Sequence, residues 1–261
     1  MFLLSPLAIG LAAGGRLTLS SAFLVIALMA AFLLRQPIII AVKAYSGRRS
    51  RTDLPAARFW IVIYSLVGLA ALTGLILKGY AYLTYLVIPG LPVFIWHLAL
   101  VSRRQERRKP GIEILGSGVL AVSAPAALWV GTGSTDPLGW LLFLLTWMQS
   151  AASIVYAYLR LEQRELKSTP PQADQWRVAR RALLYTSFNL VVTITLSLAG
   201  VIPGLLFIPY AIQWLETLYG TTHPAIGYKP TRIGLRQLAV STLFTITFII
   251  IWATTGNDLR I

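Results

Sequence analysis

Six residues interrupt or end apolar runs with charged or amide groups from which an anion site could be built: Arg35, Gln36, Glu113, Arg160, Gln213 and Glu216. Arginine presents a planar, permanently charged fork that pairs with phosphate or carboxylate through two bonds and needs no metal. Arg35 stands in "FLLRQPIIIAV" (32–42) and Arg160 in "YLRLEQ" (158–163), each towards the end of a long apolar segment. A cation so placed has two readings. It snorkels to lipid headgroups and marks the edge of the span, or it turns inward and meets an acid or an anion. Glu113 and Glu216 are acids near the same boundary, and Gln213 and Glu216 share a helix face in "AIQWLETLYG" (211–220). Together the six form the expected binding set for an amphipathic lipid with an anionic head group, such as an isoprenoid phosphate.

Other chemistries find little support. There is no cysteine, so disulfides, thiolate catalysis and Cys-ligated metals are excluded. No Gly-x-Ser-x-Gly, His-Glu-x-x-His or P-loop pattern occurs, and His97 and His223 stand far apart in sequence. His97 and the deeper Gln149 and Asn189 read as structural, hydrogen bonding between helices. The sequence therefore points to no metal and no cofactor, assigns no catalytic residue, and leaves open whether the protein is an enzyme. A net charge of +14 comes without any nucleic-acid-binding signature, so lipid headgroups are the expected partners and nucleic acid is not. Protein partners are not indicated.

These residues must be positioned by membrane helices. The chain is 56% hydrophobic and 12% charged, against about 25% charged in soluble domains. Apolar windows near the roughly 20 residues of a bilayer crossing recur from end to end. The pattern predicts an all-α, polytopic membrane bundle, read as one transmembrane domain over 1–261. Nine spans are expected near 2–15, 19–42, 59–78, 80–102, 112–130, 138–159, 182–202, 204–219 and 238–255. The first is read as a short span, not a cleaved signal, because no basic flank precedes it. Pro89, Pro92, Pro125 and Pro209 fall inside spans, where each would free a carbonyl.

Basic residues collect in alternate connections: Lys43 to Arg58, Arg103 to Lys109, Arg164 to Arg181, and Lys229 to Arg236. The opposite connections keep Arg16, Lys78 and Arg260. The positive-inside rule then predicts a cytoplasmic N-terminus and an external C-terminus, in a bacterial cytoplasmic membrane or a thylakoid. A faint echo links "LLRQ" (33–36), "AARFWIVIY" (56–64) and "IPG" (88–90) with "YLRLEQ" (158–163), "VARRALLY" (178–185) and "IPG" (202–204). It would make spans one to four and five to eight a parallel repeat, with the ninth appended.

In combination, "LLRQPIII", "RFWIVIYSL", "SAPAALWV", "YLRLEQR" and "RIGLRQL" (232–238) resemble the YwiC-like membrane proteins over nearly all of the chain. The resemblance implies a multi-pass membrane protein and no particular activity. The layout is also similar to UbiA-type intramembrane prenyltransferases, an architectural analogy. Their Asp-rich clusters hold Mg²⁺ on an isoprenoid diphosphate. Asp53 and Asp174 stand alone in the corresponding loops, so metal-dependent prenyl transfer is not expected. Two further readings stay open: a small-molecule transporter, favoured by the proline-broken spans, and an assembly partner in a membrane complex.

Overall fold

The computed structural model describes residues 1–88, 90–102 and 110–255. Among them the chain forms ten α-helices and no strand: α1 (Leu4–Gly14), α2 (Leu19–Tyr45), α3 (Leu54–Leu77), α4 (Gly90–Ser102), α5 (Pro110–Ala121), α6 (Ser123–Thr132), α7 (Leu138–Gln163), α8 (Gln172–Leu198), α9 (Ile208–Thr222) and α10 (Pro230–Thr255). Short 3₁₀ turns at Arg51–Asp53 and Ala81–Val87 precede α3 and α4. Seven stretches are long and apolar enough to cross a membrane: 19–45, 51–77, 81–100, 110–132, 138–163, 172–198 and 230–255. The other two expected spans are helices as well, but shorter. α1 has 11 residues and α9 has 15, roughly 16 and 22 Å long at 1.5 Å per residue. Neither alone reaches across about 30 Å of hydrocarbon.

Proline positions explain the departures from uninterrupted spans. Pro92, Pro125 and Pro209 each occupy the first turn of a helix, α4, α6 and α9. There the missing N–H has no intrahelical acceptor to lose, so these prolines begin helices instead of breaking them. The fifth span accordingly divides at Val122 into α5 and α6, and the eighth starts at Ile208, not at 204. Pro37 is different: it lies inside α2, which continues through it to Tyr45. Pro89 falls outside the described residues, as do Arg103 to Lys109 and Arg260.

Helix starts and stops elsewhere follow local chemistry. Thr18 and Ser21 form a reciprocal capping box at the start of α2, satisfying two otherwise unpaired N–H groups. Gly15 ends α1 and Gly79 follows α3 with φ of 69° and 90°, a left-handed turn that glycine adopts at little cost.

α1 packs into the second half of the bundle. It lies against α6 along most of its length and also meets α10, α7 and α5. The crossing with α6 is made by small residues. A Cβ at Gly10 would overlap the Ala124 carbonyl and come within 2.8 Å of the Ala127 methyl. At Gly131 it would lie 2.7 Å from the Gly14 Cα. Gly10 and Gly14 are one helical turn apart, the spacing that lets membrane helices approach backbone to backbone. Ser5 and Thr245 hydrogen bond at 2.6 Å between α1 and α10, deep in the bundle. Around this seam lies the apolar core, including Leu128, Leu142, Tyr210, Phe244 and Phe248.

α2 and α3 pack mainly on each other and join the rest through α4 and α6. Only 11% of the apolar window over 51–77 is buried, against 67% for 110–132. Phe59, Trp60, Leu66, Leu69 and Leu77 of α3 are exposed. In a membrane protein such a face is solvated by acyl chains.

Candidate anion-binding site

One face of α7 carries polar residues at helical spacing: Thr146, Gln149, Ser150, Ser153, Arg160 and Gln163, all buried. The hydroxyls of Thr146 and Ser150 bond back to carbonyls four residues earlier, which lets α7 pack closely without orphaned donors. Arg160 is 3% exposed. Its Nη1 lies within hydrogen-bond distance of the Gly220 carbonyl (2.7 Å), the His223 carbonyl (2.8 Å) and Gln163 Oε1 (2.9 Å). The two carbonyls belong to the end of α9, where the last turn has no N–H donors of its own. Arg160 therefore caps α9, and its charge faces the negative end of that helix dipole. Gln163 reinforces the cap, donating to the Gly220 carbonyl at 3.0 Å.

Gly220 has a steric reason to be glycine. A Cβ there would strike the Tyr156 ring and hydroxyl. With that space open, the Tyr156 hydroxyl reaches one turn back along α9 to the carbonyl and the Oε1 of Glu216, at 3.0 and 2.9 Å. Arg236 of α10 grips the same carboxylate through two bonds, Nε to Oε1 at 2.6 Å and Nη2 to Oε2 at 2.8 Å. Its guanidinium also lies 4.4 Å from the Tyr219 ring centre. One turn earlier on α10, Arg232 stacks 4.1 Å over Tyr228.

Between these groups is a cavity of about 70 Å³, lined by Arg160, Tyr228, Arg232, Ile233, Arg236 and Gln237. Several water-sized spheres fit in such a volume. Three arginines approach it and one carboxylate, Glu216, offsets them, leaving a local balance of +2 (three positive, one negative). Low-dielectric walls on one side raise the worth of each charge relative to open water. The chemistry that fits is a small oxyanion: two or three charge-assisted hydrogen bonds and no metal.

The six residues singled out by the sequence fall in three places. Arg160, Gln213 and Glu216 lie in the α7–α9 region just described. Arg35 is exposed on α2, and its Nη2 is 3.2 Å from His97 Nε2 on α4. Since guanidinium only donates, that ring nitrogen accepts. Gln36 beside it is exposed. Glu113 accepts from the Tyr158 hydroxyl at 2.8 Å, joining α5 to α7. Among the described residues, none that is hydrogen bonded to Arg35 is hydrogen bonded to Arg160. Gln213 is buried and donates to the Gln149 carbonyl at 3.2 Å, while its Oε1 has no hydrogen-bond partner among the described residues. Asn189 donates to the Met148 carbonyl at 2.8 Å, bonding α8 to α7.

Sequence reasoning passed over Tyr156, Gln163, Gly220, Tyr228, Arg232 and Arg236 as parts of this site. One signal was available. Arg232 and Arg236 are four apart in "RIGLRQL", so they project from one face of α10.

The profile of the YwiC-like protein family matches residues 1–128. Over that stretch, just under half of the chain, it is similar to the YwiC-like family. No curated protein and no solved structure gives a match. The YwiC-like stretch runs from the N-terminus into α6 and includes Arg35, Gln36 and Glu113. The arginine-lined cavity is built from residues beyond it.

Proposed function

We propose that this multi-pass membrane protein binds the anionic head of an amphipathic lipid, an isoprenoid phosphate or a similar molecule, between α7, α9 and α10. The observation that carries this reading is the cavity lined by Arg160, Arg232 and Arg236 with Glu216 as the one acid bonded into it. Next to it, Leu215 and Tyr219 of α9 and Leu235 and Leu238 of α10 are exposed apolar residues. A chain attached to a head group in the cavity has an apolar surface to follow. The basic helix ends around the cavity face the cytoplasm in this reading, with the N-terminus inside and the C-terminus outside. Arg35, paired with His97, is an anchor at the membrane edge, with Gln36 beside it; Glu113 ties α5 to α7.

Arg232 is the residue with which to test the site, because it is exposed and its loss leaves the Arg160 cap and the Glu216–Arg236 pair in place. Equilibrium binding of a fluorescent polyprenyl monophosphate to the nanodisc-reconstituted protein is expected to weaken about tenfold in Arg232→Gln, the worth of one charge-assisted hydrogen bond. The corresponding polyprenyl alcohol should not compete. Unchanged affinity in the variant, or equal competition by the alcohol, would refute the proposal.

A further inference from the structure

The N-terminal part of α8 carries a second depression, separate from the cavity and on the outer surface of the bundle. It has a volume of about 460 Å³ and is lined by Ala173, Trp176, Arg177, Arg180, Leu183, Leu184 and Ser187. This lies within the range of small-molecule sites, roughly 300–1,000 Å³. From Ala173 to Ser187 the groove follows α8 for roughly 21 Å at 1.5 Å per residue.

Its chemistry changes along that length. At the helix start are two guanidinium groups and an indole; further along the same helix are two leucines and a hydroxyl. The floor is fixed by a bond across helices, Trp214 Nε1 donating to Ser187 Oγ at 2.9 Å. Neither arginine is committed to a strong internal partner. Arg177 meets Asp174 at 3.8 Å with both side chains largely solvated, a contact of little energy. Arg180 has no acid partner among the described residues. Trp176 is exposed at 41%, and tryptophan at a span end favours the headgroup level of a bilayer. Below it, Leu184, Phe188 and Val191 are exposed on the membrane-spanning part of α8.

We infer that this groove is a specific site for an anionic glycerophospholipid of the surrounding bilayer. Its phosphate and acidic head pair with Arg177 and Arg180, Trp176 lies at the level of the head group, and one acyl chain follows Leu183 and Leu184. Charge complementarity selects an acidic over a zwitterionic lipid. The site does not depend on the cavity between α7, α9 and α10, so failure of one leaves the other standing.

Native mass spectrometry of the protein released from mixed phosphatidylglycerol and phosphatidylcholine nanodiscs tests the inference. The wild type should retain phosphatidylglycerol in preference to phosphatidylcholine. In the double variant Arg177→Gln, Arg180→Gln, that lipid should be held roughly 30-fold more weakly, the combined effect of two basic residues at a membrane surface. The charge-matched variant Arg48→Gln, Arg51→Gln changes the loop before α3, an element not packed on α8, and should retain the lipid like the wild type. Both arginines of the groove are exposed, so circular dichroism should report an intact helical fold in every variant. Equal retention in wild type and Arg177→Gln, Arg180→Gln would overturn the site. So would equal losses in both double variants, or phosphatidylcholine held as firmly as phosphatidylglycerol.

Discussion

Replacing Arg160 with methionine is expected to lower the thermal midpoint of the detergent-solubilised protein by roughly 8 °C. The variant keeps the stem of the side chain and removes the donors. Gln163 still reaches the Gly220 carbonyl, but the His223 carbonyl loses the donor that the structure gives it. That acceptor is only partly buried, so leaving it unpaired costs towards the low end of about 1–3 kcal/mol, and the lost buried bonds to the Gly220 carbonyl and Gln163 add to it. The total of roughly 3 kcal/mol converts at about 2–4 °C per kcal/mol for a chain of this size. Arg160→Lys should recover part of the loss, since an ammonium can still donate at the end of α9 while lacking the guanidinium geometry. A midpoint unchanged in Arg160→Met would show that the α9 cap is not what Arg160 supplies.

Larger still is the effect expected at the α1–α6 crossing. Gly10→Leu places a side chain where the Ala124 carbonyl and Ala127 methyl already stand, and Gly131→Leu places one against the Gly14 backbone. Overpacking commonly costs about 1–3 kcal/mol when side chains can yield. Here the obstacle is mostly backbone, so the helices must separate and the Ser5–Thr245 bond beyond them is strained or lost. Either variant should fail to elute as a single species in size-exclusion chromatography, or melt at least 10 °C lower, on the scale of about 2–4 °C per kcal/mol. Gly116→Ala is the matched control. Its Cβ meets nothing within 4 Å, and alanine is the better helix former, so its midpoint should hold or rise slightly. A well-folded Gly10→Leu protein would contradict the close crossing.

The membrane character and the helix positions were legible because hydropathy and charge act over whole segments. Arg164 and Lys167 follow the end of α7, while α8 begins at Gln172 just after Pro170–Pro171, ten residues before the span expected over 182–202. Helix breaks were less legible. A proline in an apolar run reads the same whether it kinks a helix or opens one, and at Pro125 and Pro209 it opens one. Span length misled at α9: four residues expected in the helix, 204–207, form the turn before it.

Pairing was the least legible feature, because it depends on which helices touch. Glu216 was a visible acid, yet its partner Arg236 lies 20 residues away on another helix and carries no local mark of the bond. Arg160 read as a cation seeking an anion; the end of α9 supplies carbonyl oxygens for it, which no spacing in the α7 sequence announces. Gly10 and Gly14 did carry a readable signal, a four-residue glycine spacing in an apolar helix, and its meaning emerged only with α6 alongside.

The most direct test of the anion site is photocrosslinking with a polyprenyl phosphate that bears a diazirine near its head, followed by peptide mapping of the labelled protein in nanodiscs. Label concentrated on residues 228–237 and the facing ends of α7 and α9, and lost when unlabelled polyprenyl phosphate is added, is the predicted result. Label centred on α2 and α4 around Arg35 and His97, with none on residues 228–237, would contradict it.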